Sequence, residues 1–566
     1  MKRIKINADN CKGCRNCSIA CMQAHRKNDS GSVYSLDLTD KSNESRNRIM
    51  LNAQNEFKPL FCRHCDKPEC VSSCMSGALT KKPDTGLVMY DADKCAACFM
   101  CVMNCSFGVI KMDYTKTKVV RCDFCAQYGG EPNCVKACRG GALSLDEVGC
   151  AKPNPCATGG NPKKHVIIGA GAAGVSAAKT IREINSTDEI VIISADESVY
   201  SRCMLHNYIN GQRDEKKISF VDDDFFAKNN IRWVSGKAVT GVDAGKKEVC
   251  FADGTEAFDT LLIASGADSI ELPVFKSTSP KNVLGLRNLS DAKAIRECAG
   301  ENIVVIGAGL VGLDAAYALV DMDKKPVIID MANQIMPLNL DSNTANVYKN
   351  KFEEAGCTFR LGQKVTAAET DASDSVTSLT LDTGEKLKCD MVIVAVGTTP
   401  ATDFLTNSGI ACDNGVTVNE NLATSIYGIY AAGDATGLSG IWPNAMKQGE
   451  VAAKNMCGIK AVYDDTFAVK NTINYFGIQS LSLGKTEPGD GDTFEIRNSR
   501  DMYAKIILHD GCVVGVVLQG DIAHSGFWQY LIKNEVDVSR IKRPVFELSF
   551  ADFYGVKDNG EYEWIV

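Results

Sequence analysis

Apolar and polar positions follow two different patterns along this chain. KKHVIIGAGAAGVSAAKTIREI (163–184) runs a short apolar strand into a glycine-rich turn and then into helical spacing built largely of small residues, and EIVIISAD (189–196) supplies the next strand. The construction returns 138 residues later as ENIVVIGAGLVGLDAAYALVD (301–321), followed by KPVIID (325–330). FDTLLIASGA (258–267) and CDMVIVAVGTTPAT (389–402) are further pairings of a strand with a glycine turn. IWPNAMKQGEVAAKNM (441–456) reads as a helix, with Pro443 suited to its first turn. From about 465 onward, strands such as YAKIIL and CVVGVVLQ alternate with short turns. The first 147 residues are punctuated instead by cysteines.

Composition narrows the class. The chain has 566 residues, 45% of them hydrophobic and 23% charged, which is globular and large enough for three to five domains at about 150 residues each. No apolar run approaches the length needed to cross a bilayer, and the start MKRIKINADNC has basic residues without an apolar core, so the expectation is a cytoplasmic protein with no membrane partner. The net charge of −8 is unevenly spread: residues 1–145 hold 22 Lys and Arg against 14 Asp and Glu, or +8, leaving −16 elsewhere. A basic segment can bind nucleic acid. Thiolate-bound metal clusters, at about two negative charges each, are the expected counter-charge here, and no nucleic-acid partner is expected.

Sixteen of the 26 cysteines fall between residues 11 and 138, in four sets. Cys11, Cys14, Cys17 and Cys21 are spaced CxxCxxCxxxC, as are Cys95, Cys98, Cys101 and Cys105. Cys62, Cys65, Cys70 and Cys74 form CxxCxxxxCxxxC, and Cys122, Cys125, Cys134 and Cys138 form CxxC, eight residues, then CxxxC. A disulfide framework belongs to small secreted domains, and zinc does not need a fourth cysteine at CxxxC in every set. The spacing points to [4Fe-4S] clusters, with the last cysteine of a set directed to a neighbouring cluster. Four clusters are expected. His64, inside CRHC, reads as a packed neighbour, and Met100 and Met103 as soft apolar lining.

On these residues the first 147 positions resemble the four-cluster ferredoxin subunits of anaerobic redox enzymes. Within that group, CRHCDKPECVSSCMSGALTKKPDTGLVMYD and KCAACFMCVMNCSFGVIKMD are most similar to the ferredoxin that accompanies carbon monoxide dehydrogenase. The resemblance implies ligands exchanged in pairs: Cys11, Cys14 and Cys17 with Cys138; Cys122, Cys125 and Cys134 with Cys21; Cys62, Cys65 and Cys70 with Cys105; Cys95, Cys98 and Cys101 with Cys74. Met22, Met75, Ser106 and Arg139 stand where that group usually has proline. The stretch after it, DEVGCAKPNPCATGGNPKK, reads as a linker in which Cys150 and Cys156 are incidental thiols.

The two glycine turns carry different chemistry. Gly169, Gly171 and Gly174 permit a tight turn, close approach to a pyrophosphate and close helix packing, and Asp196 ends the next strand where it can accept ribose hydroxyls. Gly307, Gly309, Gly312 and Asp330 repeat the arrangement. Asp330 repels a 2′-phosphate, and Met331, Ala332 and Asn333 offer no arginine to receive one, so NAD is favoured over NADP. A GxGxxG alone is weak evidence. Here FDTLLIASGA, with Gly266, and CDMVIVAVGTTPAT, with Gly397, resemble the segments that close the two nucleotide folds of pyridine nucleotide-disulfide oxidoreductases. TSIYGIYAAGDAT (424–436) resembles the second flavin motif of that family, with Gly433 and with Asp434 on the ribityl hydroxyls. The resemblance spans about 164–540, places FAD in the first fold and NAD in the second, and implies a C-terminal interface domain and a homodimer.

Cys203, in VYSRCMLHNYINGQ, stands where NADH oxidases and coenzyme A disulfide reductases carry one redox cysteine. Beside Arg202 and a flavin its pKa would fall, making it a nucleophile. The bland alternative is a small residue packed near the isoalloxazine, since Met204 and His206 break the family's usual wording.

The expected fold class is α/β with an N-terminal α+β ferredoxin-like domain, two Rossmann-like domains and a C-terminal α+β interface domain. The expected boundaries are 1–147 for the polyferredoxin, 148–163 for the linker, 164–282 with 399–462 for FAD, 283–398 for NAD and 463–566 for the interface domain. The expected function is electron transfer between carbon monoxide dehydrogenase and NAD through four clusters and FAD. The alternatives are a generic NADH:ferredoxin or rubredoxin reductase, a Cys203-dependent oxidase or disulfide or persulfide reductase, and a non-catalytic wiring subunit. Intact glycines and both acids speak against the last.

Overall fold

The computed structural model describes residues 2–26, 36–126, 131–147, 162–276, 279–465, 470–500 and 502–566, so Cys150, Cys156 and most of the expected linker lie outside the described residues. The chain divides into two compact units, 153–468 and 1–152 with 469–566.

The unit of 153–468 contains two five-stranded parallel sheets. In the first the order is Ile231–Val234, Glu189–Ile193, Lys164–Ile168, Thr260–Ile263 and Ile429–Ala431. In the second it is Val283–Leu284, Met391–Val394, Ile303–Ile306, Val327–Asp330 and Thr358–Leu361. Strands covered on both faces are apolar along their centres: Val166, Ile167, Val191, Ile192, Leu261 and Leu262 are fully buried, as are Val305, Ile328, Val392 and Ile393. Each parallel sheet is accompanied by a three-stranded antiparallel sheet, 239–257 in the first fold and 365–388 in the second. The helices Ala172–Ile184 and Leu310–Asp321 follow the two glycine turns. Helix Trp442–Met456 carries Pro443 in its first turn and crosses Ala172–Ile184 so closely that a Cβ on Gly449 would collide with the Ala173 carbonyl.

The other unit has little regular structure at its N-terminal end. Lys2–Ile6 pairs with Leu143–Glu147, closing the two ends of the cysteine-rich segment into one antiparallel ribbon, and Asn47–Leu51 pairs with Phe57–Phe61. Helix Asn16–His25 is joined by three helices of only four residues, Glu69–Ser72, Met100–Met103 and Asn133–Lys136, each carrying a cysteine. The C-terminal segment adds a five-stranded antiparallel sheet ordered Lys470–Tyr475, Ile478–Gly484, Cys512–Gln519, Met502–His509 and Thr493–Ser499, with helix Ser525–Lys533 packed on it.

The C-terminal segment is built into the cysteine-rich one. Tyr562 Oη accepts the Phe61 N–H at 2.8 Å and donates to the Pro59 carbonyl at 3.2 Å. Thr472 donates to the Cys98 carbonyl at 2.7 Å, Asp552 accepts the Ala53 N–H at 2.8 Å, and Arg543 donates to the Leu51 carbonyl at 2.8 Å. Helix Ser525–Lys533 approaches so near that a Cβ on Gly526 would collide with the Cys105 carbonyl. Phe107 packs edge-on against Phe550 and Tyr562, with ring centroids 4.9 and 5.0 Å apart.

Candidate functional site

The two glycine turns have the same construction. Gly169 and Gly307 have φ of 103° and 111°, and a Cβ on either would collide with the carbonyl of Ala264 or Ala395 on the neighbouring strand. Gly174 and Gly312 sit one helical turn in, where a Cβ would strike the carbonyls of Gly169 and Gly307. Gly171 and Gly309 differ: a Cβ there would meet nothing within 4 Å. That open space lies at the N-terminus of each following helix, where unpaired N–H groups and the helix dipole favour a pyrophosphate, so the residues present fit a dinucleotide in each fold.

The acids are held in place. Asp196 accepts a hydrogen bond from Tyr200 at 2.8 Å and pairs with Arg202 at 2.8 Å. Arg202 also donates to Asn288 and to the Arg287 carbonyl, at 2.6 and 2.7 Å. Asp330 takes the N–H groups of Ala308 at 2.6 Å and Ala332 at 2.8 Å, which fixes its carboxylate beside the second glycine turn. Asp434, half-buried, pairs with Arg287 at 2.7 Å, while the Gly433 N–H donates to Gln448 at 2.7 Å. Gly266 and Gly397 have φ of 81° and 116°, in the left-handed region their turns require. Arg287 lay outside the motifs the sequence singled out, and Gln448, within 441–456, was not marked there; their pairing with 433–434 brings them forward.

Cys203 lies exposed in the short turn Arg202–Met204, with surrounding protein atoms crowding its thiol. That crowding, with the charges of Asp314 and Asp434 nearby and Arg287 in partial opposition, pushes the thiol up to about 12. A thiolate is therefore disfavoured there by its own protein surroundings.

In the cysteine-rich unit one local geometry recurs four times. The residue before the second cysteine of each set is left-handed: Gly13 at φ 66°, His64 at 46°, Ala97 at 52° and Phe124 at 61°. Only the first is glycine, so three turns hold a conformation that L residues rarely adopt, a cost of about 1–3 kcal/mol each that persists where the surroundings over-determine it. Such turns direct successive N–H groups inward, the arrangement that stabilises thiolate and cluster charge. His64 serves this turn: it is buried, accepts the Val88 N–H at 3.0 Å, and burial holds its ring well below the ordinary histidine range.

The thiols gather across the motifs. Cys17 has Cys11 and Cys138 as charged neighbours; Cys65 and Cys70 have Cys62 and Cys105; Cys101 has Cys95, Cys98 and Cys74; Cys134 has Cys21 and Cys125. One cavity is lined by Cys21, Cys122, Cys125 and Cys134 together. Neighbouring groups also influence one another: Cys134 is within electrostatic range of Cys17, Cys122 of Cys62, and Cys101 of Cys70. Burial, with these neighbours adding to it, pushes Cys17 up to about 11 and Cys65 up to about 12. Soft, desolvated thiols brought near one another are donors that a bound metal cluster would use. His25, which the sequence reading passed over, bonds the Cys21 carbonyl at 2.7 Å and pairs with Asp123 at 3.1 Å. Burial opposes its charge, but Asp123 and Cys21 carry the ring up to about 9.

A parallel-sheet scaffold with two dinucleotide turns, joined in one chain to a thiol-gathering unit, defines an iron–sulfur flavoprotein oxidoreductase. The pyridine nucleotide-disulphide oxidoreductase profile matches residues 163–449, just over half of the chain, and the chain belongs to that family. A 4Fe-4S dicluster domain profile matches 53–148, and a rubredoxin NAD+ reductase C-terminal domain profile matches 470–536. The NADH-dependent phenylglyoxylate dehydrogenase subunit epsilon of Aromatoleum evansii is 30% identical over 67% of this chain and 93% of its own length. The rubredoxin-NAD(+) reductase of Pseudomonas putida is 30% identical over 52% of this chain and 80% of its own length. The nitrite reductase [NAD(P)H] of Bacillus subtilis is 29% identical over 67% of the chain, which spans only 48% of that protein. Among solved structures, the covalent putidaredoxin reductase-putidaredoxin complex aligns with a TM-score of 0.60 at 25% identity, over 67% of this chain and 95% of the other.

The chain is thus an NAD(H)-dependent FAD and iron–sulfur oxidoreductase of the rubredoxin/ferredoxin-reductase type. One expectation is overturned. The sequence pointed to electron transfer between carbon monoxide dehydrogenase and NAD through four clusters and FAD; the relatives found include rubredoxin-NAD(+) reductases, an NADH oxidase and an NADH-rubredoxin oxidoreductase, which favour the generic reductase over that partner, while the iron–sulfur profile leaves the number of clusters open. The ferredoxin motifs resembled that enzyme's partner because cluster spacing is dictated by the cluster, whichever enzyme lies beyond it. Among the described residues no helix is long and apolar enough to cross a membrane.

Proposed function

We propose that this chain takes electrons from NADH and delivers them singly, through its cysteine-rich unit, to a small redox carrier protein of the rubredoxin or ferredoxin kind. The observation that carries this reading is the joining, in one polypeptide, of a two-dinucleotide reductase to a unit in which thiols from different motifs gather together. Bound FAD exchanges hydride with nicotinamide and single electrons with iron–sulfur clusters. The protein supplies position and field. Gly169, Gly171 and Gly174 would receive the FAD pyrophosphate, with Asp196 on ribose hydroxyls and Asp434 on the ribityl chain. Arg202 and Arg287 pair with those two carboxylates and aim them. Gly307, Gly309 and Gly312 would receive NAD, Asp330 favouring its free 2′-hydroxyl. The positive end of helix Trp442–Met456 would stabilise negative charge on the flavin's pyrimidine side.

The proposed ligand sets are Cys11, Cys14, Cys17 with Cys138; Cys122, Cys125, Cys134 with Cys21; Cys62, Cys65, Cys70 with Cys105; and Cys95, Cys98, Cys101 with Cys74. The neighbouring thiols described above support them, and the electrostatic proximity of Cys17 to Cys134, Cys122 to Cys62 and Cys70 to Cys101 supports an order of the four sets in one line. Protein purified without oxygen should contain FAD and about sixteen iron atoms, four for each set. NADH should bleach both flavin and cluster absorbance, and added oxidised rubredoxin or ferredoxin should be reduced. Loaded protein whose flavin is bleached by NADH while its clusters and both carriers stay oxidised would refute the proposal.

A further inference from the structure

Three arginines are buried in the cysteine-rich unit, Arg3, Arg63 and Arg121, each with 2–3% of its surface exposed. Two are accounted for by local structure. Arg3 pairs with Asp66 at 2.7 Å and Glu561 at 3.4 Å, and Arg63 donates to the Ile4 and Gly560 carbonyls at 2.7 and 2.5 Å and lies over the Tyr562 ring. Arg63, like Arg121, has no carboxylate in salt-bridge range among the described residues and one nitrogen, Nη2, without a hydrogen-bond partner; what sets Arg121 apart is the sulfur it reaches. Arg121 donates to the Val88 carbonyl at 2.7 Å and reaches the Cys62 sulfur at 3.6 Å, while its Nε has no hydrogen-bond partner. Among the described residues no carboxylate lies in salt-bridge range of it. The charged neighbours it does have are thiols, Cys62, Cys70 and Cys122. Cys62 and Cys70 fall in one proposed ligand set and Cys122 in another.

An unpaired buried guanidinium is expensive, and it does not lose its proton in water-accessible pH. Its fixed charge therefore needs negative charge beside it, and thiolate-held clusters are the negative groups this unit would supply. Each gains one further negative charge when reduced, so a nearby fixed cation favours the reduced form and raises the potential.

Resting on the ligand sets proposed above, we infer that Arg121 is a potential-setting residue shared by two adjacent sets, Cys62/Cys65/Cys70/Cys105 and Cys122/Cys125/Cys134/Cys21, making them the electron-accepting middle of the line. It positions charge and touches no substrate. Because the two sets share one cation, removing it should shift both together and leave the outer two nearly unmoved.

The test is an EPR-monitored redox titration of the iron-loaded full chain, comparing wild type with Arg121→Met and Arg121→Lys. Arg121→Met should lower the electron affinity of two clusters by about tenfold or more, which is 59 mV for a one-electron couple. Arg121→Lys, which keeps the charge, should restore most of that shift. Fully loaded Arg121→Met with all potentials within twofold of wild type overturns the inference while leaving the proposed function standing. A wild-type chain without clusters overturns the proposed function instead. Should Arg121→Met fail to retain iron, the wild-type titration decides: the first stage of reduction should show two mutually coupled signals. A first stage consisting of a single uncoupled signal overturns the inference.

Discussion

In the unit of 153–468, each functional turn is backed by a sheet whose strands are apolar on both faces, and its glycines are fixed by carbonyls of the next strand, Ala264 and Ala395. In the unit of 1–152 with 469–566, the functional turns sit on four-residue helices and two-residue strands, and what they enclose is thiol. The first unit owes its site to its core. The second gathers ionisable, mutually repelling groups into its interior, so its site is a burden on the fold until metal is bound.

The largest expected effect follows from that contrast. Stripping iron with a chelator and oxidant should expose residues 2–147 to protease and to rapid amide exchange, while 163–465 keeps its protection and still binds FAD and NADH. Exchange mass spectrometry reads both units in one experiment. Undiminished protection across Cys62–Cys138 in iron-free protein would break the comparison.

The next prediction concerns the first unit alone. Gly171→Ala adds a methyl group where it meets no protein atom, at a φ of −83° that alanine adopts freely. Stability should change by less than about 1 kcal/mol, as for substitutions that disturb no packing. The methyl group enters the space a pyrophosphate would take, so flavin content should fall at least about tenfold. Gly174→Val, which strikes the Gly169 carbonyl, should instead unfold the region. The pair separates a residue that serves the ligand from one that serves the chain.

Legibility in the sequence divides along the same line. The two Rossmann folds were readable because a strand, a glycine turn and an acid are local signals, and Lys164–Ile168, Gly169 and Asp196 lie within thirty-three residues. Cysteine spacing was equally legible. The partner was not, because spacing encodes the cluster and nothing beyond it. Nor could the sequence show that 470–566 is built into the cysteine-rich segment, since contacts such as Tyr562 to Phe61 and Pro59 join residues some five hundred apart. Arg121 and Arg287 escaped for a related reason: a lone arginine is ordinary until the structure shows what it faces.

That long-range junction gives a smaller effect. Gly526→Ala places a methyl group against the Cys105 carbonyl, and overpacking of this kind costs about 1–3 kcal/mol. The urea midpoint of the cysteine-rich unit should fall while that of the dinucleotide unit, followed by flavin release, stays put. Movement of both midpoints together would show that the two units unfold as one.

The smallest expected effect belongs to Cys203. A redox thiol beside a flavin must form a thiolate, and here the crowding protein, Asp314 and Asp434 hold the group up at about 12, with Arg287 opposing only in part. At neutral pH such a thiol is almost wholly protonated, and protonation removes its nucleophilicity. Cys203→Ser should therefore leave NADH oxidation with ferricyanide or rubredoxin within about twofold of wild type, a change under 0.5 kcal/mol. Flavin content should not move, because the hydroxyl fits where the thiol did. Loss of peroxide or persulfide turnover with carrier reduction intact would reverse this reading. It would mean that bound flavin lowers the thiol far enough to act, and the dinucleotide unit would then have a reaction of its own.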